Sequence, residues 1–354
     1  MDGYLKMFGN CFITNGAARS LVYDAQRKTY YLVPHSLVRF LEQASALPYT
    51  AVKASYPAAE RLCLDEYVDF LLEHDIIFFC STLEELNRFP PTDTHWEYPA
   101  VITNAVIEGA TPERIHQFNE ARGDLFIPYL QLNVKAPVRQ IADLELLVTI
   151  ASQKPVKGVQ LFFSNDTGFS EAALIELCNR VKIIETLVAF NNSFEQLLRS
   201  DTTHLHFTRQ ANHDQHACGV VSPEYFNTEW QHYTESLKYN TCLNRKIAVD
   251  ENGAIKNCPA MHRSYGHIST TSLLSVINNP DFTEMWHIKK DQIRVCKDCE
   301  FRHICTDCRA YLETPEDPYS QPLKCGYNPY TCEWLSWSVN PLKEKAAAYY
   351  KIPL

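Results

Sequence analysis

The sequence predicts an α/β protein in three parts: a small N-terminal unit of hairpin and helices, a central run of β–α repeats, and a C-terminal third organised around metal. Three observations carry this. Residues 18–33 set β-branched and aromatic residues on either side of a short polar turn. From about residue 98, short apolar runs alternate with helical patterns. Four cysteines, Cys296, Cys299, Cys305 and Cys308, fall within thirteen residues, with more thiols on both sides.

The chain has 354 residues, 45% hydrophobic and 21% charged, which is the composition of an ordinary globular protein with room for several domains. The net charge of −9, with no basic stretch to offset it, argues against nucleic acid as a partner. No run reaches the ~18–20 apolar residues that span a bilayer, and the first residues lack a signal-peptide pattern. A cytoplasmic location with no membrane partner is the expectation. There thiols stay reduced, so 13 cysteines favour metal ligation over disulfides. Glycine is scarce, and neither phosphate-cradling glycine pattern occurs.

In the N-terminal unit, expected over residues 1–87, Arg19–Asp24 and Thr29–Val33 read as hairpin strands around Ala25–Lys28. Pro34 opens a helix with Leu37, Val38 and Leu41 on one face. A second helix covers about 64–74, and Ile76–Phe79 is a short strand. Hairpin, helices and strand make a winged-helix-like unit, whose hairpin edge suits addition of an extended peptide. A polar, proline-containing linker follows at 88–95. The central domain, expected over 98–239, reads as strands at 101–107, 126–134, 159–163, 186–190 and 204–207. Helices are expected at 112–122, 138–152 and 170–181. Thr111 and Pro112 supply an N-cap and first-turn proline. Such repeats argue for a parallel sheet or a partial (β/α) barrel, since a full barrel needs ~250 residues. Residues 223–239 read as a helix with an aromatic stripe of Tyr225, Phe226, Trp230 and Tyr233.

The C-terminal domain, expected over 240–354, begins with Cys242 and Cys258 at the open end of a hairpin turning at Asn252-Gly253. C-x2-C-x5-C-x2-C at 296–308 follows, then Cys325 and Cys332. Thiolates at this spacing converge on one centre, and four of them suit zinc or an iron–sulfur cluster. Elsewhere signals are thin. His204 and His206 share a strand face near His213, His216 and Cys218, most simply as a polar strand end. Cys63 and Cys178 fall on apolar helix faces as small core residues.

The order C-x10-G-x4-C, then C-x2-C-x5-C, then a distant last cysteine resembles the SPASM domain. This domain is appended to radical S-adenosylmethionine (SAM) enzymes that modify peptides. The wording of Cys296–Tyr311 and Pro322–Tyr330 is similar to the grasp-with-SPASM peptide maturases, which accompany an ATP-grasp ligase and a precursor peptide. The N-terminal unit resembles the leader-recognition element of such systems. The resemblance implies two [4Fe–4S] clusters. Cys296, Cys299, Cys305 and Cys325 would hold one. Cys242, Cys258 and Cys308 would hold three irons of the other, with Cys332 or Cys218 as candidates for the fourth. One cluster, or zinc, is the alternative.

Radical SAM enzymes carry C-x3-C-x2-C after the first barrel strand. The corresponding residues here, Thr103–Thr111, contain no cysteine, and no Gly-Gly-Glu-type motif follows the second strand. The resemblance therefore implies a degenerate radical-SAM-like partial barrel without a SAM site. The expected function is a maturation factor for a ribosomally made peptide, binding precursor and ATP-grasp ligase without independent catalysis. Two alternatives stand beside it: an enzyme using an open iron of an auxiliary cluster, and a zinc-stapled interaction protein.

Overall fold

The computed structural model describes residues 3–199, 202–213 and 215–352. The chain forms two compact units. Met1–Trp96, Val221–Thr241 and Ile288–Leu354 make the first, and Glu97–Val220 with Cys242–His287 make the second.

The first unit opens with β1 (Tyr4–Met7), β2 (Cys11–Asn15), β3 (Ser20–Asp24) and β4 (Thr29–Val33). Then come α1 (His35–Ala44), α2 (Tyr49–Ser55), α3 (Arg61–Glu73), β5 (Ile77–Cys80) and α4 (Leu83–Asn87). The hairpin β3–β4 falls where the alternation places it. The sequence reading missed β1 and β2, which are short and separated by Gly9 and Asn10. Strand β1 pairs antiparallel with β5, while β2, β3 and β4 form a three-stranded antiparallel sheet with β3 in the middle. The two faces of β3 enter different cores. Val22 joins Leu37, Phe40, Leu64, Val68 and Leu71 under the helices. Leu21 and Tyr23 join Val221, Tyr233, Phe301, Ile304 and Tyr327. The hairpin therefore shares a core with the cysteine-rich loop.

The second unit begins with β6 (Asn104–Glu108), α5 (Pro112–Arg122), β7 (Tyr129–Val134), α6 (Ile141–Ala151) and β8 (Gly158–Ser164). It continues through α7 (Glu171–Arg180), β9 (Ile184–Phe190), β10 (Gln196–Arg199) and β11 (His204–Phe207). Thr111 Oγ1 accepts from the Arg114 N–H at 3.2 Å with Pro112 in the first turn, as the motif predicts. Back in the first unit, the single helix expected over 223–239 is instead a 3₁₀ turn at Pro223–Tyr225 and a shorter α8 (Trp230–Ser236). The chain between them is extended because the Asn227 N–H donates to the Ile304 carbonyl at 2.7 Å. Phe226 is thereby turned onto Phe301, with ring centres 4.9 Å apart.

Strands β12 (Lys246–Val249) and β13 (Ile255–Lys256) form the hairpin expected around Asn252-Gly253, and Gly253 takes φ of +84°. It does not stand apart, because β12 pairs in parallel with β6. The result is an eight-stranded mixed sheet in the order β10-β11-β9-β8-β7-β6-β12-β13. One face, with Ile107, Leu130, Leu132, Leu161, Phe163 and Leu187, is fully buried in a core shared with α5, α6 and α7. The other face carries Asn104, Gln131 and Gln160, which line a cavity with Thr103 and Tyr129. Helices α9 (Leu273–Ile277) and α10 (Pro280–Thr283) complete this unit. The first unit then closes with β14 (Tyr327–Asn328), β15 (Glu333–Trp334) and α11 (Glu344–Tyr349). Among the described residues, no helix is long and apolar enough to cross a membrane.

Candidate metal centre

The loop 296–305 is folded by its own backbone. The Cys299 N–H donates to the Cys296 carbonyl at 3.0 Å, which closes the first C-x2-C into one turn. The Ile304 and Cys305 N–H groups both donate to the Phe301 carbonyl at 3.0 Å. Val295, which leads into the turn, sits at φ +67°. A β-branched residue there is strained, and such strain collects at functional sites. Cys325 arrives from a separate loop, fixed by its N–H to the Pro322 carbonyl at 3.2 Å and by a parallel bridge to Val221.

These four thiols, Cys296, Cys299, Cys305 and Cys325, line one pocket with Phe226, Lys290, Phe301, Tyr327 and Trp334. The walls are aromatic: Phe301–Tyr327 centres lie 5.0 Å apart and Tyr327–Trp334 4.8 Å. Among the described residues, no three His, Cys, Asp or Glu side chains close tightly enough to hold a single metal ion.

Charge is distributed unusually around the pocket. Four cations of this region, Lys290, Arg309, Lys324 and Lys343, are at most 4% exposed, and among the described residues there the carboxylates buried with them are Glu300 and Asp307. Lys290 Nζ lies 3.4 Å from Cys305 Sγ. Lys343 Nζ donates to the Leu323 carbonyl at 2.9 Å and the Cys325 carbonyl at 2.5 Å, clamping the Cys325 loop. Asp307 pairs with Arg309 at 3.1 Å. Lys324 lies over the Tyr311 ring at 4.5 Å. Burying a charge without a partner costs several kcal/mol per ion, and the buried Lys290 ammonium stands against a thiol sulfur. A tetrathiolate metal centre, zinc or four-iron, supplies two net negative charges, so the residues fit such a group.

Burial pushes the Cys296 thiol up to about 12, with Lys290 pulling the other way. Burial likewise raises Cys299 and Cys305. Burial also opposes the charge on Lys290, but Cys305 and Cys296 outweigh it and hold the ammonium above its usual range. The thiols give up their protons as metal binds, and the Lys290 ammonium beside Cys305 is placed to balance the charge that then appears.

Sequence reasoning named the thiols but missed the four buried cations. Lysine and arginine have no spacing signature and read as surface, although Lys324 stands next to Cys325.

The other predicted cysteines sit elsewhere. Cys218, Cys242 and Cys258 belong to the second unit, where all three thiols raise the Lys246 ammonium, Cys242 most. Lys246 Nζ lies 3.7 Å from Cys242 Sγ. Cys308 and Cys332 belong to the first unit but do not line the four-thiol pocket. Cys308 is buried, and Cys332 turns at φ +60°. His206 faces Glu195 at 3.5 Å, as a strand-end polar pair.

At the carboxyl end of β6, where the absent C-x3-C-x2-C would follow, Glu108 accepts from Asn133 Nδ2 at 2.5 Å and the Ala110 N–H donates to the Asn133 carbonyl at 2.9 Å. No cysteine occurs between Cys80 and Cys178.

Comparison with solved structures finds a similar chain, SuiB of Streptococcus suis. Bound to S-adenosylmethionine, it matches at a TM-score of 0.36 and 12% identity, over 90% of this chain and 98% of SuiB. Bound to precursor peptide SuiA, it matches at a TM-score of 0.36 and 11% identity, with the same coverage. Comparison with curated proteins finds no match. Residues 241–300, from the turn of Cys242 through the first C-x2-C of the pocket, match the SPASM family of iron–sulfur cluster-binding domains.

Proposed function

We propose that this chain is a maturation factor for a ribosomally made peptide. It binds the precursor and an ATP-grasp ligase, holds iron–sulfur centres in its C-terminal third, and has no SAM-cleaving centre of its own. The observation that carries the metal reading is the pocket of four thiols with the buried Lys290 ammonium 3.4 Å from Cys305 Sγ. Cys296, Cys299, Cys305 and Cys325 hold one centre. Cys218, Cys242 and Cys258, gathered around Lys246, supply thiolates for a second. When bound, such a group cross-links separate loops and can store an electron.

The protein's own residues do the rest. Phe301, between the thiols of the loop, packs on Tyr30 of β4 at 6.0 Å, so metal binding orders the hairpin as well as the loop. Among the described residues, no other strand pairs with the outer edge of β4, which is free to add an extended peptide. Leu32 is 42% exposed there, and Tyr31 stacks on His74 at 4.4 Å beside α3. Holding precursor and ligase together raises the local concentration of substrate at the ligase.

The test uses full-length, anaerobically purified protein. Precursor binding and ligase co-purification without 5′-deoxyadenosine formation under strong reductant support the reading. SAM cleavage above a no-protein control contradicts the missing SAM centre, and no affinity for any co-encoded short peptide contradicts the precursor role.

A further inference from the structure

Lys290 is 4% exposed, and its ammonium lies 3.4 Å from Cys305 Sγ. Its backbone is fixed. The Ile293 N–H donates to the Lys290 carbonyl at 3.1 Å, and the Lys289 N–H is held by Gln292 at 3.0 Å. The next residue, Asp291, accepts from Arg302 Nε at 2.9 Å, tying this turn to the cysteine loop itself. The turn that carries Lys290 is therefore held against the cysteine loop. The nearby Asp307 pairs with Arg309 at 3.1 Å. The thiolates are what remains to balance Lys290, and removing a buried charge's partner is strongly destabilising. In the second unit Lys246 Nζ stands 3.7 Å from Cys242 Sγ.

We propose that Lys290 is a positioning and tuning residue of the four-thiol centre, donating a charge-assisted hydrogen bond to the Cys305 sulfur and thereby raising the potential at which the centre takes up an electron. Hydrogen bonds to the sulfurs, local charge and exposure set cluster potentials. A buried donor favours the more negative, reduced state. Lys246 acts in the same sense on Cys242.

The inference rests on the iron–sulfur reading above, and the experiment separates the two. Full-length wild type, Lys290→Met, Lys290→Arg and Lys246→Met are purified anaerobically. Iron and sulfide are measured, and the bound centres are titrated by electron paramagnetic resonance. The expected result is full iron in Lys290→Met, with the reduced-to-oxidised ratio at a fixed potential down at least tenfold, which is 59 mV for one electron. Lys246→Met lowers the potential of its own centre in the same direction. Wild type without iron overturns the cluster reading and the inference with it. Wild type with iron whose potential Lys290→Met leaves unmoved overturns the inference alone. Should Lys290→Met lose its iron, retention of iron by Lys290→Arg supports the need for a buried cation, and equal loss from Lys290→Arg overturns it.

Discussion

Phe301→Ala tests the shared core of hairpin and cysteine loop. Phe301 is 3% exposed, and its ring lies 4.9–6.2 Å from those of Phe226, Tyr327, Tyr30 and Trp334. Truncating a buried phenylalanine costs about 3–5 kcal/mol, and lost aromatic pairing places this site toward the upper part of that range. At about 1.4 kcal/mol per decade, ~4 kcal/mol is roughly a thousandfold in the opening equilibrium of the first unit. Hydrogen exchange on the metal-loaded protein reads this directly. Amides of Leu21–Tyr23 and Thr29–Val33 should lose protection together with those of 296–305, while β7, β8 and β9 keep theirs, because their core lies within the second unit. Protection that falls at 296–305 and is unchanged at 20–33 refutes the shared core. The same core means that a fragment ending near residue 85 exposes Leu21 and Tyr23, so binding studies need the full chain.

Acid should destabilise the first unit. Burial pushes His303 down to about 4 from 6.5, so the unfolded chain binds the extra proton between those values and stability rises with pH there. The contribution, at most about 3 kcal/mol, is complete above pH 6.5 and lost as pH falls toward 4, which denaturant melts at pH 7 and 5 measure. Arg19→Ala removes the 2.7 Å partner of Glu300, whose side chain is fully buried. It should cost about 3 kcal/mol, with Glu300→Gln in the same background recovering part of it; two unchanged melting curves count against this pair. Leu32→Asp on the outer strand β4 should weaken precursor binding at least tenfold with stability unchanged, as titration calorimetry would show. Val22→Pro, by contrast, breaks the central strand β3, because Val22 pairs with both Ile13 and Tyr31, and should unfold the hairpin outright.

What could be read from residues alone follows their physics. Hairpin β3–β4, the β–α repeats and the Thr111–Pro112 helix start are local signals of period and capping, and they stand. The helix over 223–239 fails because its aromatic stripe is satisfied by tertiary contacts that local periodicity cannot register: Phe226 on Phe301, and Asn227 on the Ile304 carbonyl. Strands β1 and β2 are too short to show a period, and β1 owes its place to pairing with β5, more than seventy residues away. Spacing grouped Cys296, Cys299, Cys305 and Cys308 around one centre, and the pocket is lined by the first three with Cys325. Spacing gave no notice of the buried lysines, because a lysine buried by tertiary packing carries no pattern in sequence. Cys308, in a C-x2-C like Cys299, illustrates the converse: equal spacing, yet a place outside the pocket.

The central claim is that four thiols of the first unit hold an iron–sulfur centre. Its most direct test is the iron and acid-labile sulfide content of anaerobic wild type beside a Cys296→Ser/Cys305→Ser variant. Two centres predict roughly eight irons in wild type, and the variant should lose about four of them with matching sulfide and the corresponding visible absorption. Stoichiometric zinc with almost no iron, or an unchanged iron content in the double variant, contradicts it.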